Sequence, residues 1–297
     1  MTNKKLLFAA ALLLAGCAGP EKRINNTLQA ASAAEKKKDL AAMAKLSGNI
    51  PDAYLLPERL SAYPEETLAL LYKTLKKISF YTPDSEANAL KVEKVFEEKF
   101  RRGTFEADDV ERVYGILLAA RLFGRAAAVK DRFPAIIKET LPEIIVPDPA
   151  PAGNWRVYEV SADGRRARLK TLRVARGVHI IMAMSPGCGV SARAVKEILA
   201  DQELGPIFEA GAFLVTARFD AAGVLETRRD TGLTQVHIAH KWGDFPGVSF
   251  MTSPWIFFLK DGRVVYDMRG WADDGAQSLK RFRRGLEAIG LKPQPGL

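Results

Sequence analysis

The 297-residue sequence has only two cysteines, Cys17 and Cys188, and only three histidines. Such small numbers exclude metal clusters of Cys and His and the disulfide framework of small secreted domains. The sequence also has no uninterrupted apolar run of about 18 residues, the length that a membrane-spanning helix needs. Apolar residues nevertheless make up 47% of the chain and charged residues 27%. This composition excludes a disordered or collagen-like protein, and the length favours two structural units.

The chain is basic, with 44 Lys and Arg residues against 35 Asp and Glu residues and a formal net charge of +9. Such a charge is compatible with nucleic acid, anionic lipid or an acidic partner. The first residues favour export, because Lys4 and Lys5 precede an apolar run over residues 6–14, with small residues after it. This pattern predicts a signal peptide over residues 1–16, and export argues against a nucleic-acid partner.

The residues Leu-Ala-Gly-Cys at positions 14–17 resemble the lipobox of bacterial lipoproteins. The resemblance implies cleavage before Cys17 and lipid on that residue, and Ala18 in place of Asp implies sorting to the outer membrane. Cleavage leaves 42 basic and 35 acidic residues, a net charge of +7. We therefore expect a protein that is anchored by lipid at the periplasmic face of the outer membrane without spanning it. Ordinary secretory cleavage beside a free Cys17 is the alternative.

Three segments are predicted between the lipid anchor and the second half of the chain. Residues 17–62 are predicted to be a tether, because residues 21–46 are rich in Ala, Lys and Glu with few larger apolar positions. Residues 63–141 are predicted to be helical, since apolar residues recur at helical spacing in four stretches. Residues 142–153 contain four prolines and are predicted to be a linker. The helices resemble tetratricopeptide-type repeats over residues 118–126, but without a full repeat consensus a plain helical bundle stays open.

Residues 154–292 have the pattern of an α/β domain, in which alternating or continuous apolar runs predict strands between helices. On the first predicted hairpin the alternation places Arg166, Arg168 and Lys170 on one face, which we interpret as solvated. The predicted elements are a hairpin over 155–160 and 166–171, buried strands over 178–184 and 211–217, a helix over 233–242, a hairpin over 250–266 and a closing helix that carries Leu279, Phe282, Leu286 and Ile289.

Cys188 lies where the predicted strand over 178–184 is followed by a helical pattern. At a helix start, unpaired backbone amides and the positive end of the helix dipole stabilise a thiolate over a thiol. A structural cysteine more often lies inside a strand or on the inner face of a helix. Cys188 is therefore the candidate nucleophile, and an inert residue left from a degraded motif is the alternative.

The order of strands and helices over residues 154–292, with Cys188 at a helix start and Pro254 directly before a strand, resembles the thioredoxin fold. The sequence looks most like the membrane-tethered periplasmic thioredoxin-like proteins. The resemblance implies a central mixed sheet flanked by helices, with an extra N-terminal β-hairpin. It also implies a cis peptide bond before Pro254 and a substrate-docking edge formed by Ser253 and Pro254, with Gly187 and Ser191 beside the nucleophile.

Two residues depart from the pattern of that family. Its oxidoreductases carry Cys-x-x-Cys, whereas residues 188–191 read Cys-Gly-Val-Ser, so Ser191 stands where the resolving cysteine belongs. Met182 stands where thioredoxins have a buried acid that assists proton transfer. A thiolate at Cys188 can attack a disulfide, but no second thiol nearby in this chain can release the resulting mixed disulfide.

These residues predict monothiol disulfide exchange or isomerisation on exported proteins that carry thiols or disulfides, with an external thiol reductant as second partner and no cofactor or metal. A non-catalytic envelope adaptor is the main alternative. A thiol peroxidase is a further alternative, although the Trp-Asn-Phe motif of that family is absent. The glycines at 187 and 189 superficially fit a dinucleotide-binding loop, but no acidic residue follows at the end of a second strand.

The histidines do not predict a metal site. His237 and His240 could share a face of the helix predicted over 233–242, but two imidazoles without a third ligand are more often packing or surface residues. His179 lies within a predicted buried strand and is interpreted as a hydrogen-bonded core residue.

Overall fold

The computed structural model describes residues 19–292, so the predicted signal peptide and Cys17 lie outside the described residues. The chain divides into two compact units, with the boundary between Ile137 and Lys138. Across residues 19–292, every helix is too short or too polar to cross a membrane.

The first unit is all-helical, and consecutive helices pack mostly against their neighbours in the chain. Each of the four helices predicted within residues 63–141 is present. Their ends follow local signals: Ser85 caps one helix by accepting a hydrogen bond from the amide of Asn88, and Gly103 ends it with a positive φ of 70°. The helices are α1 (Pro20–Lys37), α2 (Leu40–Leu46), α3 (Pro57–Ala62), α4 (Glu65–Tyr81), α5 (Glu86–Arg102), α6 (Ala107–Ala119) and α7 (Phe123–Arg132).

The predicted tether over residues 17–62 is wrong for the part that the structure describes. Helix α1 buries Ile24, Ala31 and Ala34, and Ala31 and Ala34 join Ile78 of α4 in one apolar cluster. This stripe consists mostly of small residues, which let two helices approach closely but add little to a hydrophobicity pattern. The segment was therefore interpreted as solvated, although it is part of the folded unit.

The second unit is built on one eight-stranded mixed sheet with the strand order β1-β3-β2-β6-β5-β4-β7-β8. Strands β4, β5 and β6 are parallel to one another, whereas β7 runs antiparallel to β4 and β8 antiparallel to β7. The strands are β1 (Glu143–Ile145), β2 (Arg156–Val160), β3 (Arg166–Thr171), β4 (Val178–Ala183), β5 (Ala212–Thr216), β6 (Val236–Ala239), β7 (Trp255–Lys260) and β8 (Arg263–Arg269).

Four helices accompany the sheet: α8 (Gly189–Ala200), α9 (Leu204–Gly211), α10 (Ala221–Thr231) and α11 (Gly275–Ile289). On one face of the sheet, Phe258 stacks edge-on against Phe282 of α11, which in turn contacts Phe208 of α9. The preceding residue, Phe257, points to the opposite face of the sheet and belongs to the core cluster there. The central strands are therefore buried on both faces, as the continuous apolar run of β4 predicts.

The structure confirms the predicted α/β architecture and the first hairpin, in which β2 and β3 pair antiparallel. Two predictions about its elements are wrong. The predicted linker over 142–153 contains β1, which pairs in parallel with β3. The helix predicted over 233–242 is instead strand β6, a four-residue strand that is buried throughout. A run of four buried residues is too short for its periodicity to distinguish a strand from a helix.

Candidate functional site

Cys188 lies at the junction between β4 and α8, directly after the loop that leaves the carboxyl end of the central strand. It is the N-cap residue of α8, with extended backbone angles of φ −76° and ψ 108°. Its amide donates to the carbonyl of Ser185 at 3.1 Å, and its carbonyl accepts from the amide of Ala192 at 3.0 Å. The thiol is free and partly exposed, so the side chain is fixed at a helix start and open to solvent.

Ser253 lies opposite Cys188, in the loop before β7. The thiol of Cys188 donates to the carbonyl oxygen of Ser253 across 3.8 Å, and the bond between Ser253 and Pro254 is cis. The Ser253 hydroxyl accepts from the amide of Ser185 at 2.8 Å and lies 2.7 Å from the hydroxyl of Ser191. The structure therefore brings together the loop before α8, the first turn of α8 and the loop before β7.

The surroundings of Cys188 favour its thiolate. Burial raises the pKa of the thiol, but hydrogen bonds from the amide and hydroxyl of Ser191, the hydroxyl of Ser253 and the amide of Val190 outweigh it and hold the pKa below its usual value. Two of these donors are the free amides that any helix start provides. The other two are hydroxyls of serines that sequence analysis selected, Ser191 and Ser253.

Ser191 stands at the position of a resolving cysteine. Its side chain is completely buried and hydrogen-bonded to the hydroxyl of Ser253. Met182 is also completely buried in β4. Within residues 19–292 the site thus holds one thiol, with no second thiol to resolve it and no acid at position 182 to receive its proton.

Gly187 and Pro254 frame the site. Gly187 has a φ of 75°, a backbone conformation that L-residues with a side chain rarely adopt. Apart from its two chain neighbours, no atom of residues 19–292 lies within 4 Å of where its Cβ would be. The glycine therefore allows the loop to turn and places no side chain beside Cys188. Pro254 is buried beneath this edge.

Sequence analysis missed one element that supports the site. Helix α10 begins beside the Cys188 loop, where Gly223 faces Pro186 so closely that a Cβ on this glycine would overlap the proline ring. Two local signals bound this helix: Asp220 caps its start by accepting from the amide of Gly223 at 2.8 Å, and Gly232 ends it with a φ of 73°. The same start and stop signals in the sequence could have identified it.

The histidines lie elsewhere in the second unit. His237 is buried in β6, where it pairs with Val215 of β5, and His240 follows that strand and lies 2.7 Å from a carboxylate oxygen of Asp244. They share no helix face, since the predicted helix is a strand. His179 in β4 is partly buried, with Nε2 2.9 Å from the carbonyl of Arg176. No group of three or more potential metal ligands occurs within residues 19–292.

The strands next to Cys188 decide the fold. Along the sheet, β5, β4, β7 and β8 are neighbours in that order, with β5 parallel to β4 and both β7 and β8 reversing direction in turn. Helix α8 follows β4, and α11 closes the unit after β8. This order and these directions are those expected for the thioredoxin-like fold that the sequence predicts. Cys188 lies after the carboxyl end of β4, at the start of α8.

Comparisons with known proteins give only distant matches. No family model and no curated protein matches the chain. A candidate protein disulfide isomerase from Bacteroides thetaiotaomicron is 17% identical, with a TM-score of 0.33 over 50% of this chain and 91% of that chain. A thioredoxin-like protein from Bacteroides caccae is 11% identical, with a TM-score of 0.29 over 83% of this chain and 92% of that chain. The fold is therefore assigned from the order and direction of the strands.

Proposed function

We propose that the thioredoxin-like domain carries out monothiol disulfide exchange or isomerisation on exported proteins, with Cys188 as the nucleophile. The observation that carries this proposal is the position of the partly exposed Cys188 thiol at the start of α8, 3.8 Å from the carbonyl oxygen of Ser253. The amides of a helix start favour the thiolate. A thiolate is the form of cysteine that attacks disulfides, so stabilising it increases the fraction of Cys188 that can react at neutral pH.

The chemistry balances in two steps. The Cys188 thiolate attacks one sulfur of a client disulfide, the S–S bond of the client breaks, and its other sulfur leaves as a thiolate. In isomerisation, a thiolate of the same client then attacks the mixed disulfide, forms a new client disulfide and releases the Cys188 thiolate, with no net oxidation or reduction. In net reduction, one external thiol attacks the mixed disulfide and releases the reduced client, which leaves that thiol joined to Cys188. A second external thiol then releases the Cys188 thiolate and forms the external disulfide, so the two thiols together supply the two electrons.

Trapping of mixed disulfides tests this reaction in the cell envelope. We expect the wild-type chain to form adducts that alkylation preserves and dithiothreitol dissolves, and the Cys188→Ala variant to form none of them. Ser278→Ala is a matched control, because Ser278 is a buried serine whose hydroxyl accepts from the amide of Ala272 and does not contact Cys188. An identical adduct pattern with Cys188→Ala, or no adduct with the wild type, would contradict the proposal.

The Ser191→Cys variant tests whether only the resolving thiol is missing. Ser191 is the last residue of the Cys-x-x-Ser motif, one helical turn after Cys188, and its hydroxyl contacts that of Ser253. A cysteine there provides an internal thiol to release the mixed disulfide, so we expect the variant to reduce insulin disulfides faster than the wild type when dithiothreitol recycles it. If insulin reduction does not increase although the variant folds, the scaffold lacks more than a second thiol.

An adaptor without catalysis is the second candidate function. It is favoured by Met182, which is completely buried where a proton-transferring acid would lie. It is also favoured by Ser191, which stands in place of a resolving cysteine and is hydrogen-bonded to Ser253. An adaptor would bind the same clients with Cys188→Ala as with the wild type. Client capture that survives this substitution and resists dithiothreitol distinguishes it from exchange. A tetratricopeptide-like partner surface on the helical unit stays a prediction.

We further propose that the chain is a lipoprotein, anchored through Cys17 to the periplasmic face of the outer membrane. The lipobox resemblance of residues 14–17 supports this. Growth with labelled palmitate and fractionation of the membranes test it: label and outer-membrane recovery are expected for the wild type and lost with Cys17→Ser. Equal recovery of both forms in the soluble fraction would contradict it.

A further inference from the structure

A cleft of about 730 Å³ lies between the first hairpin and helix α10. It is lined from one side by β1, β2 and β3 and from the other by α10 and the segment before β6. Strands β4, β5 and β6 are parallel, and α10 runs back from the end of β5 to the beginning of β6. The cleft therefore lies at the opposite end of the sheet from Cys188 and is separate from the proposed redox site.

The cleft is strongly basic. Four arginines line it, Arg166, Arg168, Arg228 and Arg229, together with one acid, Glu159. That acid is paired with Lys170 at 2.5 Å, and Arg229 is paired with Asp230 at 3.0 Å. Within residues 19–292, neither Arg166, Arg168 nor Arg228 forms an ion pair with a carboxylate. Carboxylates do lie near them, since the strand register places Glu143 opposite Arg166 and Glu159 opposite Arg168. The lining of the cleft nevertheless has more positive than negative side chains.

Arg228 is fixed deep in the cleft wall. Its two terminal nitrogens donate to the carbonyl of Val160 in β2 at 2.6 Å and to the carbonyl of Val236 in β6 at 2.8 Å. Its Nε is buried and, in the part of the chain that the structure describes, has no hydrogen-bond partner. Burial lowers the pKa of Arg228, and Glu159 compensates for this only in part. A half-buried cation held by neutral carbonyls favours an anion beside it.

We propose that this cleft binds a phosphate ester, with Arg166, Arg168 and Arg228 as its cationic lining. A guanidinium group can donate two parallel hydrogen bonds to two oxygens of one phosphate group. A phosphate monoester carries close to two negative charges at neutral pH, so it balances three cations better than a single carboxylate does. The volume is that of a small-molecule site. Ile145 and Leu225 add an apolar wall for the organic part of the ligand.

Calorimetric titration of the full-length chain tests the site with two probes, inorganic pyrophosphate and dihexanoyl phosphatidic acid. The first represents a free phosphate compound and the second a lipid headgroup. The test variant is Arg166→Gln with Arg168→Gln, two exposed residues of β3 whose loss leaves the core unchanged. The matched control is Arg173→Gln with Arg176→Gln, two exposed arginines that remove the same charge outside the cleft.

We expect binding of at least one probe to the wild type, and a Kd at least about tenfold higher for the cleft variant, since two charge-assisted contacts are lost. The control should change the Kd less than about threefold through long-range charge alone. Tighter binding of the phosphatidic acid, with the same dependence on the cleft arginines, would assign the phosphate to a lipid headgroup. Absence of binding by both probes, or equal weakening by both double variants, would overturn the proposal.

Discussion

Hydrogen-bond donors surround the thiol of Cys188. A thiol at a helix start receives the amides of the first turn in any protein. Here the hydroxyls of Ser191 and Ser253 lie beside the thiol and share a hydrogen bond of 2.7 Å, in which either can be the donor. The reactivity of Cys188 is therefore expected to depend on serines that are 62 residues apart in the sequence.

Ser191→Ala and Ser253→Ala are expected to raise the pKa of Cys188, because each removes a hydroxyl that stabilises the thiolate. Alkylation by iodoacetamide near pH 6.5 should slow roughly three- to tenfold for each, the equivalent of one hydrogen bond of about 1 kcal/mol. The measurement is the alkylation rate against pH. Ser278→Ala should leave this profile unchanged, and coincident profiles for all three variants and the wild type would contradict the assignment.

Residues of the site could largely be identified from the sequence, because their chemistry is local. The helix-start cysteine carries a local signal, whereas Gly187, Ser191 and the pair Ser253 and Pro254 are implied by the resemblance to the thioredoxin fold. The contacts between these residues could not be predicted from the sequence. The hydroxyl of Ser253 accepts a hydrogen bond from the amide of Ser185, and this contact depends on how two loops pack against each other.

At the scale of elements, close packing of α11 on β7 is a feature that the sequence conceals. Gly285 of α11 lies directly against Phe258, and a Cβ at this position would overlap its ring. The glycine lies in the middle of a helix, where propensity alone would favour alanine. A glycine is needed here because the ring of Phe258 on β7 leaves no room for a side chain at position 285.

Gly285→Ala is therefore expected to destabilise the second unit by about 1–3 kcal/mol, because it overpacks a filled core. Gly115→Ala is the matched control, since Gly115 lies in the exposed face of α6 with nothing within 4 Å of a new Cβ. That change should stabilise by roughly 0.5–1 kcal/mol. Urea unfolding of both variants measures the two effects, and a stabilising Gly285→Ala would show that the helix can move away from Phe258.

Errors in predicting the elements have one physical cause. Strand β6 and helix α1 are both defined by their partners: four buried residues form a strand because β5 and β2 flank them, and a stripe of alanines is buried because α4 covers it. The pattern of either segment alone does not determine its structure. Helices with larger apolar residues and clear caps, such as α5, were predictable because their signals are complete within the segment.

At the scale of the molecule, stability should depend on pH through His237. Burial, with Lys170 and Arg228 nearby, lowers the pKa of this histidine to about 3, against about 6.5 in an unfolded chain. Below pH 6.5 the unfolded state therefore binds a proton that the folded state does not, so this contribution to stability is present above pH 6.5 and is lost as the pH falls towards 3.

The free energy of unfolding of the second unit is expected to fall by about 2–3 kcal/mol between pH 7 and pH 4.5 through this one group. Other titrating groups contribute as well, so the measurement is a comparison: urea unfolding at both pH values for the wild type and for His237→Gln. The variant removes the imidazole and should show a pH dependence smaller by that amount. Equal pH dependence of the two proteins would mean that His237 is protonated in the folded state.

The sequence by itself determined the α/β character of the second half, the helical first half and the position of a single nucleophilic candidate at a helix start. These follow from periodicity, caps and turns, which act over a few residues. Only the tertiary structure decided that residues 20–37 pack into the first unit, that residues 236–239 are a strand, and that Ser191 and Ser253 meet beside Cys188. It also gathered arginines from β3 and α10 around one cleft, because the free energy of such contacts depends on partners that are distant in the chain.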